Sequence, residues 1–176
     1  MPISIAGAGN WLIAHDRIGP RVLRLIRGRY GPAVELCDIG ASGLRLLDYL
    51  REQALLIVID ACLMNRAPGE ILVQEPDLDV PLANSTSLHQ IGPLDTLSLA
   101  KHLYAQNMPH RVLFIMVETR DIDAATEKKA CREVLGILDW EIGACFSRNS
   151  WRGQRPQPKN RLRDFRIANE KDSLAS

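Results

Sequence analysis

Residues 54–60, ALLIVID, are the most apolar run in the chain, and the run ends on a carboxylate. An unbroken apolar stretch of this length, without alternation, is what a central parallel strand buried on both faces requires. The flanking segments repeat the theme. Ile3–Ala8 is a short apolar run ended by glycines, Val34–Ile39 is stopped by Gly40, and Arg111–Val117 reads as a further strand. Helical periodicity falls between them. Ile18–Tyr30 places Ile18, Val22, Leu25 and Ile26 on one face and arginines on the other. Ser42 is positioned to cap a helix running to about Gln53, with Leu44, Leu47 and Leu50 inward. Pro68-Gly69 marks a turn before a short strand at Glu70–Gln74, and residues 76–88 read as a polar loop. Further helices are expected over about Gly92–Gln106 and about Ala124–Ile142, the latter turning Ala130, Val134, Ile137 and Leu138 inward. This order predicts an α/β fold, a three-layer α/β/α sandwich. Its five-stranded, mostly parallel twisted sheet is flanked by about four helices with right-handed crossovers.

In an open parallel sheet, ligands bind beyond the carboxyl ends of the strands. Three side chains suited to a divalent ion fall at such strand-to-loop junctions: Asp16, Asp60 and His89. Each also has a plainer use. Asp16 is placed to cap the first helix or face its dipole, and a loop histidine such as His89 is commonly incidental. Asp60 is the sharpest of the three, because a carboxylate at the end of a central strand needs donors, a partner or a metal to ionise. Gly7-Ala8-Gly9-Asn10-Trp11-Leu12 lacks the third glycine of a dinucleotide fingerprint, and its helix starts too late. The glycines serve a sharp turn better than a phosphate cradle. Asn10 either bonds that turn or directs its amide to the crevice. His15 is a ligand, a proton carrier or a bystander, while His102 and His110 read as surface residues.

A chain of 176 residues with 46% hydrophobic and 24% charged residues fits one domain with a sizeable core. A formal net charge of +1 gives no field to attract nucleic acid or an anionic membrane. Four widely spaced cysteines, Cys37, Cys62, Cys131 and Cys145, form no framework, which suits a reducing cytoplasmic setting. No stretch approaches a membrane span, and PISIAGAG, which runs straight into a strand and has no charged n-region, is not expected to be a signal peptide. From Ser147 the composition changes, with six arginines and one lysine within Arg148–Arg166. The expected organisation is an α/β domain over 1–146 and a basic, flexible tail over 147–176.

Taken together, four motifs carry a resemblance: GAGNWLIAHDRIG (7–19), DIGASG (38–43), IVIDA with APGEI (57–71) and SLHQIG (87–92). In order and spacing they resemble the hydrogenase maturation endopeptidases over about residues 3–142. The resemblance implies that Asp16, Asp60 and His89 are metal ligands and that Asp16 and Asp60 are the carboxylates of an aspartic-type peptidase. It further implies that Asp38 and Gly40 shape the substrate cleft. The implied reaction removes the C-terminal extension of a nickel-iron hydrogenase large-subunit precursor after nickel insertion, with the substrate's own nickel as the recognition element. A monomer is expected, with that precursor as partner. A non-catalytic nickel-dependent chaperone of the precursor is the alternative. Three features depart from the family: His15 replaces an acidic residue, Arg17 replaces a small one, and VETRDIDAATEK (117–128) lacks a glycine-containing loop.

Overall fold

The computed structural model describes residues 2–79 and 91–147. Its sheet has five strands: β1 (Ile3–Ala8), β2 (Val34–Gly40), β3 (Leu55–Cys62), β4 (Ile71–Gln74) and β5 (Val112–Glu118). They lie in the order β2-β1-β3-β5-β4, all parallel except β4, which runs antiparallel along β5 at one edge. Three α-helices, α1 (Ile18–Leu25), α2 (Pro93–Leu103) and α3 (Ala124–Phe146), and a 3-10 helix over Gly43–Tyr49 cover the two faces.

Alternate residues of each central strand serve opposite cores, as the two-residue strand period dictates. Ile3, Ile5, Leu55, Ile57, Ile59, Leu113, Ile115 and Val117 pack under α1 and α3 with Ile18, Val22, Val134 and Leu138. Ala6, Leu56, Val58, Phe114 and Met116 face the other way, onto Leu46, Leu50, Leu97 and Ala100. Each fully buried aliphatic side chain contributes about 1.5–3 kcal/mol from transfer out of water. The apolar runs are therefore the fold's main support, and the three-layer architecture is the one their pattern predicts.

Four local expectations are corrected. α1 stops at Leu25 rather than Tyr30, since Gly28 takes a left-handed φ of 76° that ends helical continuation. Leu25 is then exposed and Leu23 is buried in its place. The second helical segment is 3-10, not α, and Gly43, Leu46 and Leu50 are its buried residues, while Leu44 and Leu47 are only partly buried. Ser42 precedes that segment without capping it through its side chain. Finally, β3 continues past Ile59 to Cys62, so Asp60 lies within the strand, in register with Met116 of β5.

Candidate active site

The chain runs from β1 outward to β2, then returns to place β3 on the other side of β1. The strand order thus reverses between β1 and β3, and the carboxyl ends of such a pair are where an open parallel sheet forms its ligand crevice. Asp16, in the turn after β1, and Asp60, near the end of β3, both lie at that end of the sheet.

Beyond β1 the chain makes a compact turn. Gly9, with φ 125°, lies so close to the following segment that an added Cβ would stand 2.0 Å from the Asp16 carbonyl oxygen. The Asn10 N–H donates to Asp16 Oδ2 at 2.9 Å, and Asn10 Oδ1 accepts the Leu12 N–H at 3.0 Å. Asn10 therefore bonds the turn, and through its backbone it orients the aspartate. Ala14–Asp16 is a single 3-10 turn touching β3. Asp16 does not cap α1; Arg17 holds that position, and no side chain caps the helix there. The half-buried Asp16 carboxylate is committed to the loop and the crevice instead.

Asp60 extends from the same face of β3 as Val58 and Cys62. Burial pushes its pKa from 3.8 up to about 6. The Ala61 backbone N–H opposes that rise, and the negative charge of Asp16 adds to it. The charge of Asp16 is thus felt at Asp60, less strongly than burial is. Two carboxylates within reach of each other's charge attract a cation. Cys62, two residues on, is held as a neutral thiol with its pKa pushed up to about 12, mainly by burial and then by Asp60, Glu118 and Asp16. It is a poor nucleophile there.

The other expected residues separate into groups. Asp38 is exposed at the end of β2, and its Oδ1 accepts the Gly40 N–H at 3.0 Å. Gly40 has a φ of 58°, and its carbonyl accepts the Gly9 N–H at 2.9 Å, tying the β2 exit to the β1 exit. Asp38 and Gly40 thus form the wall next to Asp16's loop. His15 is exposed. His89 lies outside the described residues. The segment after it does not: Ile91 and Gly92 press on Gly43, where an added Cβ would stand 2.4 Å from the Gly92 carbonyl carbon. Among the described residues no third His, Cys, Asp or Glu joins the two aspartates in a metal-sized cluster.

Two carboxylates went unmarked in the sequence reading. Glu118 ends the apolar β5 run as Asp60 follows the apolar part of β3, a parallel that would have flagged it. Fully buried, it accepts the N–H groups of Met64 at 2.6 Å, Arg66 at 3.1 Å and Arg120 at 2.9 Å. Burial alone would raise its pKa, yet these donors hold it below the ordinary 4.5. It anchors the loop that leaves β3 after Cys62. Glu127, in the first turn of α3, receives Arg17 and Arg21. No local pattern announces a partner 110 residues away.

The fold and the paired carboxylates define a parallel α/β protein with an acidic site at its topological switch point. A family model described as hydrogenase maturation protease (HycI) matches residues 20–136, which include Asp60 and His89 and begin just after Asp16. The hydrogenase expression/formation protein HoxM of Azotobacter vinelandii is 34% identical over 126 residues, covering 69% of this chain and 59% of its own length. The hydrogenase 2 maturation protease of Escherichia coli K12 is 35% identical over 103 residues, covering 56% and 62% respectively. Among solved structures, the hydrogenase maturating endopeptidase HybD from E. coli superposes with a TM-score of 0.63 at 29% identity, over 81% of this chain and 94% of that one. The chain belongs to the hydrogenase maturation protease family. It spans about 59% of the length of the first curated relatives it matches.

Proposed function

We propose that this protein is an endopeptidase that trims the C-terminal extension of a nickel-iron hydrogenase large-subunit precursor, in the cytoplasm and as a monomer, once nickel has been inserted. The observation that carries the reading is the pairing of Asp16 and Asp60 at the switch-point crevice, with Asp60 poised near pH 6. Two partly buried oxygen donors at the carboxyl end of the sheet suit a site that completes the coordination of a metal brought by another protein. His89 is the third donor in this reading, and Asn10, Asp38, Gly40 and His15 line the approach. No described helix is long and apolar enough to cross a membrane.

Chemically, the site's first contribution is position. Gripping the metal-bearing end of the precursor fixes the adjacent peptide bond beside the carboxylates, and such alignment replaces an encounter with an intramolecular step. Asp60 is the better of the two for moving a proton, since a carboxylate with pKa about 6 accepts one from water and returns it to a leaving amine near neutral pH. Asp16 is held in orientation by the Asn10 N–H. This assignment makes the enzyme aspartic in type. Asp16→Asn and His89→Ala variants test it: trimming of nickel-loaded precursor is expected to fall by about 100-fold or more in each. Unimpaired trimming in both would remove the site from the mechanism.

A further inference from the structure

Arg17 directly follows Asp16, and a free guanidinium beside two carboxylates meant for a cation would neutralise them. The structure shows where that charge goes. Arg17 Nε donates to Glu127 Oε1 at 2.9 Å and Arg17 Nη2 to Oε2 at 2.8 Å, a two-pronged bond onto α3. Arg21 Nη1 lies 2.7 Å from the same Oε2. The Glu127 side chain is 2% exposed, whereas Arg17 and Arg21 are 34% and 30% exposed. One buried carboxylate therefore restrains two arginines. Helix energetics do not account for them, because a helix N-terminus disfavours cations and the first turn of α1 has no acidic residue. Glu127 itself sits favourably in the first turn of α3.

We propose that Glu127 is a positioning residue that holds Arg17 away from Asp16 and Asp60, keeping the pair open for a metal carried by the substrate. The proposal rests on the reading of that pair given above. An arginine stem is long and flexible, so without its partner on α3 the guanidinium reaches the neighbouring acidic rim by side-chain rotation alone. Glu127 thus acts through Arg17 and touches no substrate. A simple brace between α1 and α3 would have a different signature: Arg21 also holds Glu127, and removing Arg17 as well would not restore what the loss of Glu127 costs.

The test uses Glu127→Gln and Glu127→Ala, each alone and combined with Arg17→Ala. Crystal structures of the two single Glu127 variants are expected to show the Arg17 guanidinium within hydrogen-bond distance of Asp16 or Asp60. If Arg17 stays at position 127 or turns to solvent, the proposal is overturned, whether or not the protein cleaves anything. Should Glu127→Ala fail to fold, Glu127→Gln preserves shape while removing the charge and one of the two acceptor oxygens that hold Arg17. Kinetics supply the second arm. With nickel-loaded precursor, each Glu127 variant is expected to raise KM about tenfold, Arg17→Ala to stay near wild type, and the double variants to recover. An Arg17→Ala defect equal to that of Glu127→Gln would establish the brace and overturn the proposal. Failure of the wild-type protein to cleave would count against the functional reading alone, since the crystallographic arm still decides the position of Arg17.

Discussion

Asp60 carries a conflict between stability and use. Its charged form is disfavoured by burial and by Asp16, which raises its pKa from 3.8 to about 6. Below the ordinary value both folded and unfolded chains hold it protonated, and its burial then costs little. As pH rises through that interval the unfolded chain ionises first, so the folded state loses stability that it does not regain at neutral pH. Asp60→Asn removes the penalty. Thermal unfolding at pH 7.5 is expected to show stabilisation of about 2 kcal/mol, or a Tm higher by about 4–8 °C, together with loss of precursor trimming. An unchanged or lower Tm would mean that Asp60 is better solvated than its place in β3 implies. In the role proposed for it, the same carboxylate would set an acid limit on trimming, because a protonated Asp60 offers neither a ligand nor a base. The rate of trimming is expected to fall as pH drops below about 6, and the limb should vanish in Asp60→Asn, leaving only residual activity. Asp60 was legible as a candidate because a carboxylate closed an apolar run. Its place inside the strand was not, because only pairing with β5 reveals that β3 continues to Cys62. The restraint on Arg17 was hidden for a similar reason: the sequence marks the arginine as unusual beside Asp16, while its partner is far off on α3.

At the scale of elements, the parallel strands were legible and the helices less so. β1, β3 and β5 announce themselves because burial on both faces demands unbroken apolar runs, while β2, at the edge, shows as a shorter mixed run stopped by Gly40. Helix type and length depend on interactions the pattern does not record. The segment after Ser42 has helical composition, yet it is tightened into a 3-10 helix whose Gly43 meets the backbone of Ile91 and Gly92. That contact joins two of the motifs recognised in the sequence, DIGASG and SLHQIG, across the sheet's second face. It also fixes the point from which α2 begins, at Pro93. Gly43→Ala is expected to cost about 1–3 kcal/mol in urea unfolding, since the added Cβ would stand 2.4 Å from backbone that cannot swing aside. Its effect on trimming should exceed its effect on stability, because the displaced segment directly follows His89. A stability loss with normal trimming would separate that segment from the site.

For the whole molecule, the sheet's switch point gathers chemistry from distant parts of the chain onto one rim. The turn after β1, the end of β2 and the end of β3 all arrive there. The near-neutral net charge of +1 gives no general attraction for polyanions, so recognition has to come from this rim and what surrounds it. Trp11 and Leu12 stand exposed in the turn that holds Asp16, with Arg24 stacked 4.4 Å from the Trp11 ring centroid. The rim thus combines acidic groups with apolar surface, as suits docking of another polypeptide. A protease that reads metal in its substrate should be a checkpoint, cutting only completed precursor. The most direct test incubates the protein with nickel-loaded and with nickel-free hydrogenase large-subunit precursor and follows release of the C-terminal peptide by mass spectrometry. Release from the nickel-loaded form alone is the predicted result. Equal release from both forms would contradict the account, leaving a peptidase that does not sense the metal, and release from neither would contradict cleavage itself.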